Sequence, residues 1–359
     1  MVAMTTGTNG PADREASVSP RPARAADVSW FRHGDPSMPA AVRRAATALA
    51  HRLGFDAVRS EEIGIVVLEA ATNLHRHADD GAVLLRSVYS GARVAIEVVA
   101  VDSGPGISDV AWASTDGNSS RGTLGIGLGG ILRLADDADL FSLPGRGVTL
   151  ALRFRSRGAG DAAWDEVAGL TRPITGETVC GDAYAVRVDE GTTTVMLCDG
   201  LGHGPMAARA SDVAVRAFEA APPGRPDTYA DHLHRAMSGT RGGALSIAQL
   251  DPAAGVVRFC GIGNVSGTIL SHGPRRGMAS LPGIAGQHAR TRRVFEYDLP
   301  AGAMVVLHSD GLTERGRAAD APGLTSHTPL VVAATLLRDA GTRSDDACVV
   351  AVRAPRRAG

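Results

Sequence analysis

Apolar and polar positions recur with two different periods along this chain, and each change of period marks a new element. From Ser37 to Leu53, the residues Met38, Val42, Ala46, Leu49 and Leu53 fall three and four apart, the spacing of an amphipathic helix. Ile63, Val66, Val67, Ala70 and Leu74 repeat that pattern in a second helix. Ser60 is its expected N-terminal cap, with Glu61 and Glu62 in a first turn where the helix dipole favours anions. Two strand-like runs follow, Ala82–Tyr89 and Arg93–Val101, joined at Ser90-Gly91. A glycine-rich stretch from Gly104 to Gly130, a further helix, and two strands meeting at Pro144-Gly145-Arg146-Gly147 complete the first half.

Around Arg155–Gly160 the residues become small and charged, as in a linker. Beyond it, strand patterns at Tyr184–Val188 and Thr192–Cys198 give way to helical stretches near Pro205–Ala220 and Asp227–Met237. Strands are expected again at Leu245–Leu250, Val256–Cys260, Val265–Leu270, Arg293–Leu299 and Met304–His308. A helix at Leu330–Leu337 and a strand at Cys348–Val352 close the chain. Strand runs broken by helix pairs predict an α/β (α+β) sandwich in each half.

Composition narrows the function. At 359 residues the chain has room for about two domains, each able to bury a core. A formal net charge of −1 argues against a nucleic-acid binder, and no apolar run approaches a membrane span. The first residues lack the apolar stretch of a secretory signal, and Cys180, Cys198, Cys260 and Cys348 are scattered. Buried free thiols and a cytoplasmic location are expected. Every basic residue is arginine, so the lysine of a P-loop is absent, and Glu97 follows Val94-Ala95-Ile96 where a eukaryotic-type kinase has lysine. Any use of ATP calls for another architecture.

Three elements of the first half suit a nucleotide. Glu69 and Asn73 lie four apart on one helix face. Asp102-Ser103-Gly104-Pro105-Gly106 ends a strand, and Gly125-Ile126-Gly127-Leu128-Gly129-Gly130 opens a helix. A strand-end aspartate can accept from an exocyclic amine, glycines admit a nucleotide close to the backbone, and an amide oxygen suits Mg²⁺. A nearby carboxylate can act as general base. Singly, each has an ordinary reading: helix packing, solvated helix residues, a Gly-Pro turn.

Their order and spacing resemble the N-box, G1 box and G2 box of the GHKL ATP-binding fold. Gly145-Arg146-Gly147-Val148-Thr149 resembles its terminal strand, with one extra residue before the threonine. Within that fold, the short lid and the stretch after the N-box look most like anti-sigma-factor and switch-protein serine kinases. The resemblance implies Glu69 as the base for the substrate serine, Asn73 as the Mg²⁺ ligand of Mg·ATP, and Asp102 as the reader of adenine. Gly104, Gly106, Gly125, Gly127 and Gly129 would shape pocket and lid, with Thr149 contributing and Arg121 meeting the γ-phosphate.

Aspartates carry the second half. Cys180-Gly181-Asp182 precedes a strand, Asp199-Gly200-Leu201-Gly202-His203-Gly204 and Ser309-Asp310-Gly311 end two others, and Ser344-Asp345-Asp346 precedes the last. Asp-Gly is a common turn, but several strand-end carboxylates brought together repel unless divalent cations neutralise them, which points to a two-metal site. The series resembles PPM-type metal-dependent serine/threonine phosphatases, in their compact SpoIIE-like branch. It implies two Mn²⁺ or Mg²⁺ ions, one held by Asp182, Asp199 and the Gly200 carbonyl, the other by Asp199, Asp310 and Asp345. Asp199 would bridge, Asp346 would stand outside, and His203 is a candidate substitute for the family's acid histidine, a helix-start role being the alternative.

The expected organisation is a tail at 1–26, a GHKL sandwich at 27–156, a linker at 157–171 and a PPM-type αββα sandwich at 172–354. The expected function is a bifunctional partner-switching regulator, kinase and phosphatase for a STAS-domain phosphoprotein, upstream of a sigma factor or other switch protein. The alternatives are a dedicated phosphatase with a regulatory ATP half, and an anti-sigma binding module. Neither nucleic acid nor membrane is an expected partner, and a homodimer is left open.

Overall fold

The computed structural model describes residues 24–90, 93–115, 126–156, 166–271, 273–289, 291–313 and 321–355. The first sheet is antiparallel in the order β1-β2-β3-β5-β4, built from β1 (Arg24–Arg32), β2 (Gly81–Ser90), β3 (Arg93–Asp102), β4 (Asp137–Ser142) and β5 (Val148–Arg155). Helices α1 (Met38–Arg52), α2 (Ala57–His77) and α4 (Gly127–Leu134) cover one face, and α3 (Val110–Ala113) is a single turn. On α2 the cap is Asp56, whose side chain accepts from Arg59 N, and not Ser60, which is fully buried in the first turn. Glu61 and Glu62 therefore lie past that first turn.

The second half carries two more sheets. One contains β7 (Asp182–Asp189), β8 (Thr192–Gly200), β9 (Gly243–Asp251), β10 (Val256–Ile262) and β13 (Ser280–Leu281), with β14 (Phe295–Asp298) beside β10. The other runs β12-β11-β15-β16-β6: β6 (Val167–Arg172), β11 (Ser266–Leu270), β12 (Arg276–Met278), β15 (Met304–His308) and β16 (Ala347–Arg353). Strand β6 overlaps the expected linker: residues 167–172 pair with β16 through Ala347↔Arg172 to Val352↔Val167. Likewise β1 begins at Arg24, inside the expected tail.

Alternation of side chains across each strand explains the stacking. On β8, Val195 and Leu197 face the other sheet, while Met196 and Cys198 meet α5 (Pro205–Ala220) and α6 (Pro226–Ala236). The β15–β16 sheet also has a second apolar face, which packs on α7 (Pro329–Ala340). That helix is apolar all round: Leu330 through Leu337 are all buried, because its far side meets Leu84, Val99, Val101 and Ala151 of the first sheet. The described chain is thus a continuous stack: helices, sheet, α7, sheet, sheet, helices.

Polar contacts align the two halves. Glu97, only 1% exposed, pairs with Arg86 and Arg153 at 2.6 Å each, and Arg86 Nη1 donates to Gly169 O of β6 at 2.7 Å. Burial alone would raise the Glu97 pKa, but the two guanidinium groups hold it below the usual carboxylate range. Trp30 Nε1 donates to Thr171 O at 2.9 Å, and Arg146 pairs with Asp339 at 3.0 Å. Asp139 accepts from Thr328 N and meets His327, each at 2.7 Å, and these bonds outweigh its burial and lower its pKa. Arg343 contacts Asp80.

Candidate functional sites

In the first half, α2 carries Glu69 and Asn73 on one half-buried face. Among the described residues, neither side chain makes a hydrogen bond or ion pair, so both stay open to a ligand. Asp102 ends β3, and its Oδ1 accepts from Gly104 N at 2.8 Å. Burial raises its pKa, against the Gly104 and Val148 amides and the Arg338 and His77 charges. Glycine is required at the turn that follows. A Cβ on Gly104 would meet His77 O at 2.6 Å, and one on Gly106 (φ +72°) would meet Leu143 O at 2.2 Å.

Gly127 (φ +64°) and Gly129 fall in the first turn of α4, half-buried, with open space beside Gly127. Arg121 and Gly125 lie outside the described residues. Thr149 departs from expectation. It is fully buried on the sheet face opposite α2, where its Oγ1 accepts from Thr335 at 3.0 Å and from Arg338 at 3.3 Å. The extra residue in Gly145-Arg146-Gly147-Val148-Thr149 shifts the strand by one position, which turns a side chain to the other face.

In the second half, sheet pairing gathers the acidic residues. Asp182 opens β7 directly opposite Asp199 at the end of β8. Asp310 follows β15, and Asp345 lies two residues before β16. Asp310 accepts from the Asn264 amide, and Ser309 Oγ accepts from Cys348 N at 2.9 Å. Burial and then the neighbouring carboxylates push Asp199 up to about 9, and burial with the same neighbours pushes Asp182 up to about 7. Asp310 is also raised, by burial and Asp345. Oδ2 of Asp182 and Oδ2 of Asp199 are buried without a hydrogen-bond partner. Hard oxygen donors, orphaned and mutually repelling, fit divalent cations. Among the described residues, no three His, Cys, Asp or Glu side chains are gathered closely enough to hold a metal ion as they stand, so the carboxylates form a loose array.

Neighbours support that array. Gly200 has no room for a side chain: its Cβ would lie 2.3 Å from Ala207 O. Asp346, 2% exposed, accepts from Ile174 N and Gly181 N, both at 2.8 Å, which ties the 174–181 loop to β16. Sequence reading missed Asn264, whose amide donates to Asp310 from the turn after β10. His203 Nδ1, in the loop that follows Asp199, sits 3.3 Å from Glu177 Oε1.

Two folds therefore share this chain, an ATP-binding α/β sandwich and a PP2C-type αββα phosphatase. Residues 34–154 match the histidine kinase-like ATPase domain family, and residues 189–355 match the stage II sporulation protein E (SpoIIE) family. The serine/threonine-protein kinase RsbT of Bacillus subtilis is 34% identical over 110 residues, 31% of this chain and 83% of RsbT. The phosphoserine phosphatase RsbX of the same organism is 23% identical over 155 residues, 42% of this chain and 73% of RsbX. A solved structure bearing on the bacterial stressosome, a modular system adapted to control secondary messenger signalling, aligns at TM-score 0.48 and 29% identity. It covers 52% of this chain and 98% of its own. The chain belongs to the RsbT-like histidine kinase-type ATPase family in its first half and continues into a SpoIIE-type serine/threonine phosphatase domain. The ATPase family implies ATP, the phosphatase family implies Mg²⁺ or Mn²⁺, and the partner-switching relatives imply a protein partner. Among the described residues, no helix is long and apolar enough to cross a membrane.

Proposed function

We propose that this chain both adds and removes a phosphoryl group on serine or threonine of a STAS-domain protein, and so sets the state of a sigma-factor or stress circuit. The observation that carries this reading is that both sites keep their reactive side chains free of structural duty. Glu69 and Asn73 make no bond among the described residues, and Asp182 and Asp199 each hold an orphaned buried oxygen.

In the kinase half, Asn73 holds Mg²⁺ on ATP and Asp102 accepts from the adenine amine. Glu69 takes the proton of the substrate hydroxyl as its oxygen attacks the γ-phosphorus and ADP leaves. Gly104, Gly106, Gly127 and Gly129 shape that pocket. In the phosphatase half, Asp182, Asp199 and the Gly200 carbonyl would hold one cation, and Asp199, Asp310 and Asp345 would hold the other. The bound ions supply charge neutralisation and an activated water for in-line attack on phosphorus. His203, oriented by Glu177, returns a proton to the departing serine oxygen. Both reactions belong in the cytoplasm, where ATP is supplied.

A second reading, in which the ATP half regulates the phosphatase without phosphotransfer, is favoured by one set of contacts. Arg338 of α7 reaches Thr149 and acts on the charge of Asp102, while Arg343, two residues before Asp345, contacts Asp80. Hydrolysis of a phosphorylated STAS protein, with and without Mg·ATP, separates the readings. Under the first, net dephosphorylation falls when ATP is added, because the product is rephosphorylated, and Glu69→Ala removes that fall. A change in phosphatase rate that survives Glu69→Ala establishes the regulatory reading instead.

A further inference from the structure

We propose that Arg241 is the side chain that grips the substrate phosphoryl group at the carboxylate array, a reading that rests on the phosphatase assignment above. The β8–β9 register sets its place. Asp199 pairs with Ala244 and Gly200 with Gly243, so the next positions outward set Arg241 across from Gly202. Leu201 N donates to Gly242 O at 3.0 Å and continues that pairing past the strand ends. A Cβ built on Gly202 (φ +87°) would come within 3.2 Å of Arg241 Nη1, so the guanidinium lies over the loop that leaves Asp199.

The turn holding Arg241 is braced. Thr240 donates to Met237 O from both N and Oγ1, and Gly242 N donates to Thr240 Oγ1 at 2.9 Å. Gln287 Nε2 donates to the carbonyl of Arg241 itself at 2.5 Å. The guanidinium, by contrast, is exposed and makes no hydrogen bond or ion pair among the described residues. Arg343 is instead engaged with Asp80, and Arg172 with Thr342 O at 2.5 Å.

Charge gives the braced arginine its task. Asp182, Asp199, Asp310 and Asp345 carry four negative charges when ionised, which two divalent cations would cancel. With buried Asp346 bonded to Gly181 N beside them, a phosphomonoester dianion then meets a floor with no spare positive charge and needs a cation at its rim. A guanidinium offers a planar fork that matches two phosphoryl oxygens. Leu201, bonded to the same turn, and Met206 in the first turn of α5 are both exposed, apolar residues that fit a protein surface around the phosphoserine.

The test uses the full chain as wild type, Arg241→Ala and Arg241→Lys, each confirmed folded by thermal melting. Mg²⁺ is titrated calorimetrically, inorganic phosphate is titrated into the Mg²⁺-saturated protein, and kcat and KM are measured on a phosphoserine peptide. In Arg241→Ala, Mg²⁺ affinity stays unchanged, phosphate affinity falls about ten- to hundredfold, and KM rises by a similar factor with kcat less affected. Arg241→Lys recovers part of the loss. Unchanged phosphate affinity and KM overturn the proposal, as does loss of Mg²⁺ affinity, which would make Arg241 part of the metal site's scaffold. A wild-type protein that binds phosphate but hydrolyses no peptide counts against the phosphatase reading alone, and the phosphate titration still decides on Arg241.

Discussion

At Asp199 one carboxylate oxygen is buried without a partner, among the charges of Asp182, Asp310 and Asp345. Burial first, and then the neighbouring carboxylates, raise the pKa values of Asp199 and Asp310, a cost that a cation between them would relieve. Asp199→Asn removes the bridging charge but keeps the volume. Metal-dependent hydrolysis of a phosphoserine peptide should drop below detection with the melting temperature preserved, and persistence of Mn²⁺-dependent turnover would remove Asp199 from the bridge. In the other half, Asn73→Ala should weaken Mg·ATP binding at least about tenfold by nucleotide titration, since a ligand costs no less than its supports. The strand-end aspartates were legible in the sequence because each ends or precedes an apolar run, two of them as Asp-Gly pairs. Asn264 was not, because its bond to Asp310 joins turns 46 positions apart and depends on how two sheets stack. Thr149 was misjudged for a related reason: one inserted residue decides which face it takes.

Among the elements, α7 has the most consequential position. Its sequence was readable as a helix at Leu330–Leu337, but its double burial follows only from its apolar residues on every face, a signal that periodicity alone overlooks. Leu337, 2% exposed in the shared core, tests this. Leu337→Ala should cost about 2–5 kcal/mol, and denaturant titration should show both halves losing stability together. Stability lost only in the second half would contradict a common core. Strands β1 and β6 went unread because both sit at sheet edges. Val167–Arg172 is short, carries Gly169, and is extended only by virtue of its pairing with β16. The α2 cap was displaced because Asp56 and Ser60 both suit that role, and burial of Ser60 against Phe55 O at 3.5 Å leaves Asp56 to perform it.

For the whole molecule, the buried Arg86–Glu97–Arg153 group orients one half on the other. Removing one partner strands the other charges, so Glu97→Gln should cost about 3–5 kcal/mol, read from denaturant unfolding of the full chain. Glu97 and Asp139 both have folded-state pKa values below their unfolded ones. Their contribution is therefore fully present above the unfolded carboxylate value of about 4 and is lost as pH falls through the lower folded values. The domain junction should loosen in acid, and Glu97→Gln should flatten that limb of the stability profile. An unchanged acid limb would show that the junction draws its stability from the apolar contacts of α7.

The stack brings the two candidate sites, one for adding and one for removing a phosphoryl group, onto one chain, and linkage raises the concentration of each near the other's product. The most direct measurement takes the Asp199→Asn chain, Mg·ATP and a STAS-domain protein from the same genome, and reads intact mass with the removing half disabled. The account predicts one added phosphoryl group on that protein, absent when Glu69→Ala is combined with Asp199→Asn, and erased when wild-type chain and Mn²⁺ are supplied after ATP is removed. No mass gain across the STAS-domain proteins of that genome would contradict it and leave the ATP half as a regulator of a dedicated phosphatase.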